Sequence, residues 1–146
     1  MREIKFRGKR IDNGKWVYGD LCQDKNIDMV SILKKSDKPY ALGDSKKADT
    51  CFYFKLIQVD PETVGQFTTL KDDNGVDIFK GDLVKFNDRT IVYEVIWDPY
   101  RVAWWLKDVK ADKRERDHDT DSQQLLNNSW QQRVVIGNIY DNHELI

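Results

Sequence analysis

FRGKRIDNGKWVYGDL (residues 6–21) and FTTLKDDNGVDIFKGDL (residues 67–83) are two versions of one pattern, and that pattern sets the fold. Each starts at a Phe, crosses five residues to Asp-Asn-Gly, and after two more reaches an apolar residue followed by an aromatic one. Gly-Asp-Leu comes next, directly at Gly19 in the first copy and after the extra Lys80 in the second. Asn-Gly tolerates the positive φ that a two-residue hairpin turn requires, so each copy reads as strand, tight turn, strand. The Gly then lets the backbone bend, and the Asp carboxylate can accept hydrogen bonds from nearby amides to hold the corner. The repeat is either a duplication or recurrent turn chemistry; in both cases it predicts two β-units. Gly81-Asp82-Leu83-Val84-Lys85-Phe86 also resembles the corner that opens a strand in small SH3-like barrels.

Outward from these units the apolar pattern stays strand-like. CFYFKLIQV (51–59) reads as a largely buried strand, rich in aromatic and β-branched residues. Val30, Ile32 and Leu33 make a short strand, as do residues 83–86 and 134–136. Residues 91–97 and 101–106 form a hairpin around Asp98-Pro99-Tyr100. Asp60 as N-cap, Pro61 at the first helical position and Gly65 beyond predict one turn of 3-10 helix. Asp121 with Gln124 resembles a capping box, and Leu125, Leu126, Ser129 and Trp130 then predict a short amphipathic helix over 122–131. The polar, lysine-rich 34–49 and the mixed-charge 107–121 read as exposed loops. The expected fold is mainly β: one domain, 1–146, of two small sheet- or barrel-like lobes, about 1–60 and 61–146, with one or two short helices. The C-terminal lobe is the SH3-like candidate.

Composition excludes the extremes. The 146 residues carry 24 Lys+Arg against 25 Asp+Glu, a net −1, so the chain is neither a polycation for nucleic acid nor an acidic mimic of it. Seventeen Phe, Trp and Tyr, 12% of the chain, argue against disorder. Cys22 and Cys51 form no CxxC pair and, with His118 and His143 the only histidines, leave a structural zinc site short of ligands. Two buried thiols in a reducing compartment are expected. No apolar stretch approaches the ~18 residues of a membrane span, and no apolar h-region follows the basic start. The expected location is cytoplasmic.

MREIKFRGKRIDNGKWVYGDL (1–21), VDPETVGQFTTLKDDNGVDIFKGDLVKF (59–86) and VVIGNIYDNHELI (134–146) together resemble the YopX-like family of bacteriophage and prophage proteins, in order, spacing and chain length. Two positions depart from that family's pattern: Thr69 stands where Gly usually precedes Leu, and His143 where Pro usually precedes Glu-Leu. The resemblance implies a mostly-β phage or prophage protein acting inside a bacterial host. It carries over no functional residues.

Two surfaces stand out against their ordinary structural readings. Residues 1–19 hold Arg2, Lys5, Arg7, Lys9, Arg10 and Lys15 against Glu3 and Asp12, a net +4. Interleaved with Phe6, Trp16 and Tyr18, the strand offers Lys5, Arg7, Lys9 and Arg10 as candidate phosphate contacts. Alternation would turn Lys5, Arg7 and Lys9 outward and Ile4 and Phe6 inward; the ordinary reading is a solvated strand face. Trp97, Trp104 and Trp105 lie in one hairpin, and adjacent Trp104 and Trp105 must face opposite sides. Core packing accounts for most of these rings; an exposed one marks a protein interface. Asp117, Asp119 and Asp121 around His118 could suggest a metal, but the interleaved Lys and Arg repel cations. GxSxG, GxxxxGK[ST], GxGxxG and HExxH motifs are absent. The expectation is a non-catalytic binding protein without cofactor or metal that self-associates and meets a phage or host protein through the Trp hairpin. The alternative is a nucleic-acid module using the basic N-terminal strand. A hydrolase built on carboxylates alone stays open.

Overall fold

Alternating apolar residues and two Asp-Asn-Gly turns give an antiparallel β protein. The computed structural model describes residues 2–24, 29–35, 54–86, 90–110, 122–124 and 132–146. They fall into two units, one of Glu3–Gln66 and one of Phe67–Ile146 together with Arg2.

The N-terminal unit holds β1 (Phe6–Lys9), β2 (Trp16–Asp24), β3 (Met29–Lys35) and β4 (Phe54–Gln58), with the start of β5 (Gly65–Lys71). Hydrogen bonding runs in the order β4-β3-β2-β1-β5. Leu21 lies opposite Ile32, and Ile32 opposite Ile57. This register puts them on one face with Val17 and Val59, and Phe6, Val30 and Val64 pack alongside. The sheet curls: Arg10 bridges Val59, and Asp60 N–H donates to the Lys9 carbonyl at 2.8 Å. Gly8 permits the approach, since a Cβ there would sit 2.9 Å from Val59 Cβ. The 3-10 turn forms at Pro61–Thr63 as expected, its Asp60 cap accepting from Glu62 N–H. Thr63 Oγ1 then accepts from Lys9 N–H at 2.8 Å, tying the turn to β1.

Two expectations change in this unit. The sequence predicts a largely buried strand over 51–59, yet within its described part Phe54, Lys55, Leu56 and Gln58 are exposed and only Ile57 and Val59 turn inward. An apolar run shows that a strand forms, but not that both of its faces are covered, and among the described residues β4 is an outermost strand. Cys22, read as a buried thiol, is exposed because it shares the outer face of β2 with Tyr18 and Asp20. Cys51 lies outside the described residues.

The C-terminal unit takes up the rest of β5 and pairs it with β6 (Asp77–Phe79), then continues through β7 (Asp82–Phe86), β8 (Val92–Asp98), β9 (Ala103–Asp108), β10 (Ser122–Gln124) and β11 (Arg133–Asn138). A five-stranded sheet runs β10-β9-β8-β7-β11. Its core is Ile78, Val84, Phe86, Tyr93, Val95, Trp104 and Leu106, with Leu70 and Val135 packed against it. Phe86 and Tyr93 meet edge to face at 5.6 Å between ring centroids. The helix expected over 122–131 is corrected at its start. Residues 122–124 pair with Trp105, Leu106 and Lys107 as a strand, because an open β9 edge outcompetes a cap signal for those backbone groups. Residues 125–131 lie outside the described set, as do 111–121 with His118. Among the described residues, no helix is long and apolar enough to cross a membrane.

Candidate functional site

The β8–β9 hairpin builds the more exposed candidate surface. Trp97 lies opposite Trp104 and Ile96 opposite Trp105, so Trp97 and Trp104 share a face and Trp105 takes the other, as adjacency requires. Trp104 is buried in the core. Trp97 stands on it edge to face, 5.1 Å between centroids, and stays open to solvent. On the opposite face the Arg101 guanidinium lies 4.4 Å from the centre of the Trp105 ring. The three tryptophans therefore do not form one patch: one is core, one is half-buried under a cation, and one is exposed.

The turn between the strands supplies what the sequence reading missed. Tyr100 is 93% exposed and Val102 71% exposed, in the same hairpin as exposed Trp97. The tip is braced. Asp98 Oδ1 accepts from Tyr100 N–H at 2.8 Å and Arg101 N–H at 3.1 Å, while Oδ2 accepts from Arg101 Nη1 at 2.9 Å. The Arg101 amide first, then its guanidinium, holds the Asp98 carboxyl below the usual carboxylate range. Val102 has φ 52°, a left-handed conformation that a β-branched residue adopts only under constraint. Such strain gathers at binding and switch regions. The signal was present in Asp98-Pro99: residues at the apex of a tight turn cannot reach a core, so Tyr100 was bound to be exposed.

The basic strand is arranged differently from the expectation. Arg7 lies opposite Tyr18 and Lys9 opposite Trp16, so all four share the outer face, where cations and rings pack on one another. The Arg7 guanidinium is 4.6 Å and Lys9 Nζ 5.7 Å from the Trp16 ring centre. Arg7 is only 6% exposed, whereas Ile4, expected in the core, is exposed ahead of β1. Alternation divides residues between two faces only inside a strand, and Ile4 precedes its first ladder pair. Lys5 Nζ lies 3.4 Å from Glu3 Oε1, and Arg10 Nε donates to Asp12 Oδ1 at 2.8 Å. Hydrogen bonding from Arg10 lowers the Asp12 pKa, and Asp12 raises that of Arg10. Acids adjacent in sequence thus neutralise two of the four cations on which the nucleic-acid reading rests.

No group of three His, Cys, Asp or Glu among the described residues is placed to hold a metal ion. The buried carboxylates act on backbone. Asp72 accepts from Asn74 and Val76 N–H on Oδ1 and from Val135 N–H on Oδ2, and Asp82 accepts from Phe79 N–H.

Comparison with known proteins agrees with this architecture. The crystal structure of protein EF1440 from Enterococcus faecalis is similar over 99% of both chains, with a TM-score of 0.53 and 20% identity, a likeness of fold alone. No curated protein matches the chain. A family model described as YopX protein matches residues 5–146, nearly the whole length. The chain belongs to the YopX family.

Proposed function

We propose that this protein is a non-catalytic interaction protein, acting in the cytoplasm of a phage- or prophage-bearing bacterium, and that it self-associates through the β8–β9 hairpin tip. The observation behind this reading is the combination at residues 97–102 of exposed Trp97, Tyr100 and Val102 with an Asp98 brace that holds them in place. Large side chains presented on an ordered turn lose little conformational entropy on binding, and aromatic residues dominate interface hot spots. Sedimentation velocity over rising concentration tests it. The expected result is a mass above one chain that returns to one chain in Tyr100→Ala and Trp97→Ala. A single-chain mass at high micromolar concentration overturns self-association.

The nucleic-acid alternative draws on one observation, the shared outer face of Arg7, Lys9, Trp16 and Tyr18. Basic groups beside rings suit a single-stranded backbone with stacked bases. The Glu3 and Asp12 pairings and the burial of Arg7 reduce that support. Salt-sensitive retention of single-stranded DNA or RNA, lost in Lys9→Ala with Tyr18→Ala, is the result that would favour it.

A further inference from the structure

Asn13-Gly14 and Asn74-Gly75 are the two Asn-Gly pairs of the chain, and both lie in exposed turns. Such a pair can react with itself. The Gly backbone nitrogen, once it gives up its proton, attacks Cγ of the preceding Asn side chain, and a Gly has no Cβ to hinder the approach. A new N–Cγ bond closes a five-membered imide. The Cγ–Nδ2 bond breaks, and the side-chain nitrogen leaves as ammonia with the proton that the Gly gave up. Water then opens the imide at either carbonyl, leaving aspartate or isoaspartate. Negative charge passes from the Gly nitrogen to Asn Oδ1 on the way. A donor at Oδ1 therefore favours the step, and a nearby carboxylate opposes it.

The two turns differ on both counts. In the first, Lys15 N–H donates to Asn13 Oδ1 at 3.0 Å, the atom on which charge builds. The preceding acid, Asp12, is paired with Arg10, whose Nε donates to it at 2.8 Å. In the second, Asn74 N–H and Val76 N–H both donate to Asp72 Oδ1 at 2.8 Å, one on each side of Gly75. That carboxylate is buried and lies against the backbone that would have to become negative. Lys71, itself paired with Asp77, also reaches the Gly75 carbonyl at 3.4 Å. Each Gly N–H is held, Gly14 on the Arg10 carbonyl at 2.9 Å and Gly75 on that of Asp72 at 3.0 Å, so either turn must open before attack. Opening the second also disturbs the bonds to the Asp72 carboxylate.

We propose that Asn13 is a site of self-modification, converting in the folded protein to aspartate and isoaspartate by ring closure onto Gly14, and that Asp72 protects Asn74 from the same reaction. The co-reactant is water alone. Either product carries a new carboxylate and lowers the net charge of residues 1–19 from +4 to +3. Isoaspartate also adds a backbone carbon inside the turn that sets Lys9 opposite Trp16. The site lies in the N-terminal unit and does not depend on the hairpin-tip reading.

The folded full chain, held for days at neutral pH and then digested and mapped by mass spectrometry, tests the proposal. Each site is read by the mass gain from amide to acid and by the separate elution of aspartate and isoaspartate peptides. Product at position 13 is expected to accumulate at least about tenfold faster than product at position 74. Unfolding in urea removes both turns, and the two rates should then converge, since both sites read Asp-Asn-Gly. Absence of product at position 13 in the folded chain would overturn the proposal. So would an Asn74 rate equal to or above that of Asn13, or a preference that persists unchanged in urea.

Discussion

The two copies of the Phe–Asp-Asn-Gly–Gly-Asp-Leu pattern share their turns and differ in almost everything those turns lead to. Gly14 and Gly75 both have positive φ, 66° and 79°, and both donate back across the turn, to Arg10 and Asp72 carbonyls. Before the turn, however, the first copy has Ile11, exposed, and the second has Asp72, buried with three amide donors. After it, the first copy runs straight through Gly19 and Asp20 within the nine-residue β2. In the second, Lys80 intervenes, Gly81 turns at φ 83°, and Asp82 is buried on the Phe79 amide. One inserted residue and one Ile-to-Asp difference thus separate an open hairpin from a packed corner. The open copy leaves its turn, residues 11–15, exposed. The closed copy anchors the sheet that carries the hairpin tip.

Substitution at matched positions should expose this asymmetry. The largest effect is expected at Asp72→Ala, which strands three amides at once and should cost about 3 kcal/mol in urea unfolding, against less than about 0.5 kcal/mol for Ile11→Ala. Comparable losses at the two sites would erase the distinction. Next comes Asp82→Ala, expected to cost about 2 kcal/mol, since Phe79 N–H loses a charged acceptor, while exposed Asp20→Ala stays within about 0.5 kcal/mol.

A third pair sits two residues after each Phe, Gly8 in one copy and Thr69 in the other. Thr69 has φ 72° at an irregularity in the β5–β6 ladder, a conformation that costs a side-chain-bearing residue about 1–2 kcal/mol. Thr69→Gly should therefore raise stability by about 1 kcal/mol, read as a higher urea midpoint at unchanged slope. Gly8→Ala should lower stability, because its Cβ meets Val59.

The smallest effect concerns pH at the hairpin tip. The Asp98 carboxyl titrates below its ordinary value in the folded chain, so its bracing is complete above the unfolded aspartate pKa and fades as pH falls through the lower folded one. Exchange of the Tyr100 and Arg101 amides should quicken over that acidic window. An Asp98→Asn variant should show no such step, and a step that survived in it would place the brace elsewhere.

The turns were legible in the sequence because Asn-Gly, Asp-Pro and Gly-Asp act locally, through φ and a neighbouring amide. The 3-10 turn at Pro61–Thr63 followed from Asp60, Pro61 and Gly65, all within a few residues of it. Burial was less legible. Alternation separates Arg7 from Phe6 but does not say which face a neighbouring element covers, and so Arg7 was read as solvated and Leu56 as buried. The role of Asp82 was visible, because the Asp of the Gly-Asp corner was expected to hold a local amide. That of Asp72 was not: its bond to Val135 spans 63 positions and leaves no local trace. Trp97 is an interface candidate in the sequence, whereas Tyr100 reads only as a turn residue and Val102 as part of the 101–106 strand, which in the structure begins at Ala103.

The central claim is that the braced tip at residues 97–102 is where this protein meets its own copy. NMR spectra of the full chain recorded across a dilution series test it most directly, because they report association and its location together. The expected result is amide and side-chain shifts that move with concentration at Trp97, Tyr100 and Val102 and disappear in Tyr100→Ala. Concentration-independent spectra, or shifts centred away from the tip, would contradict it.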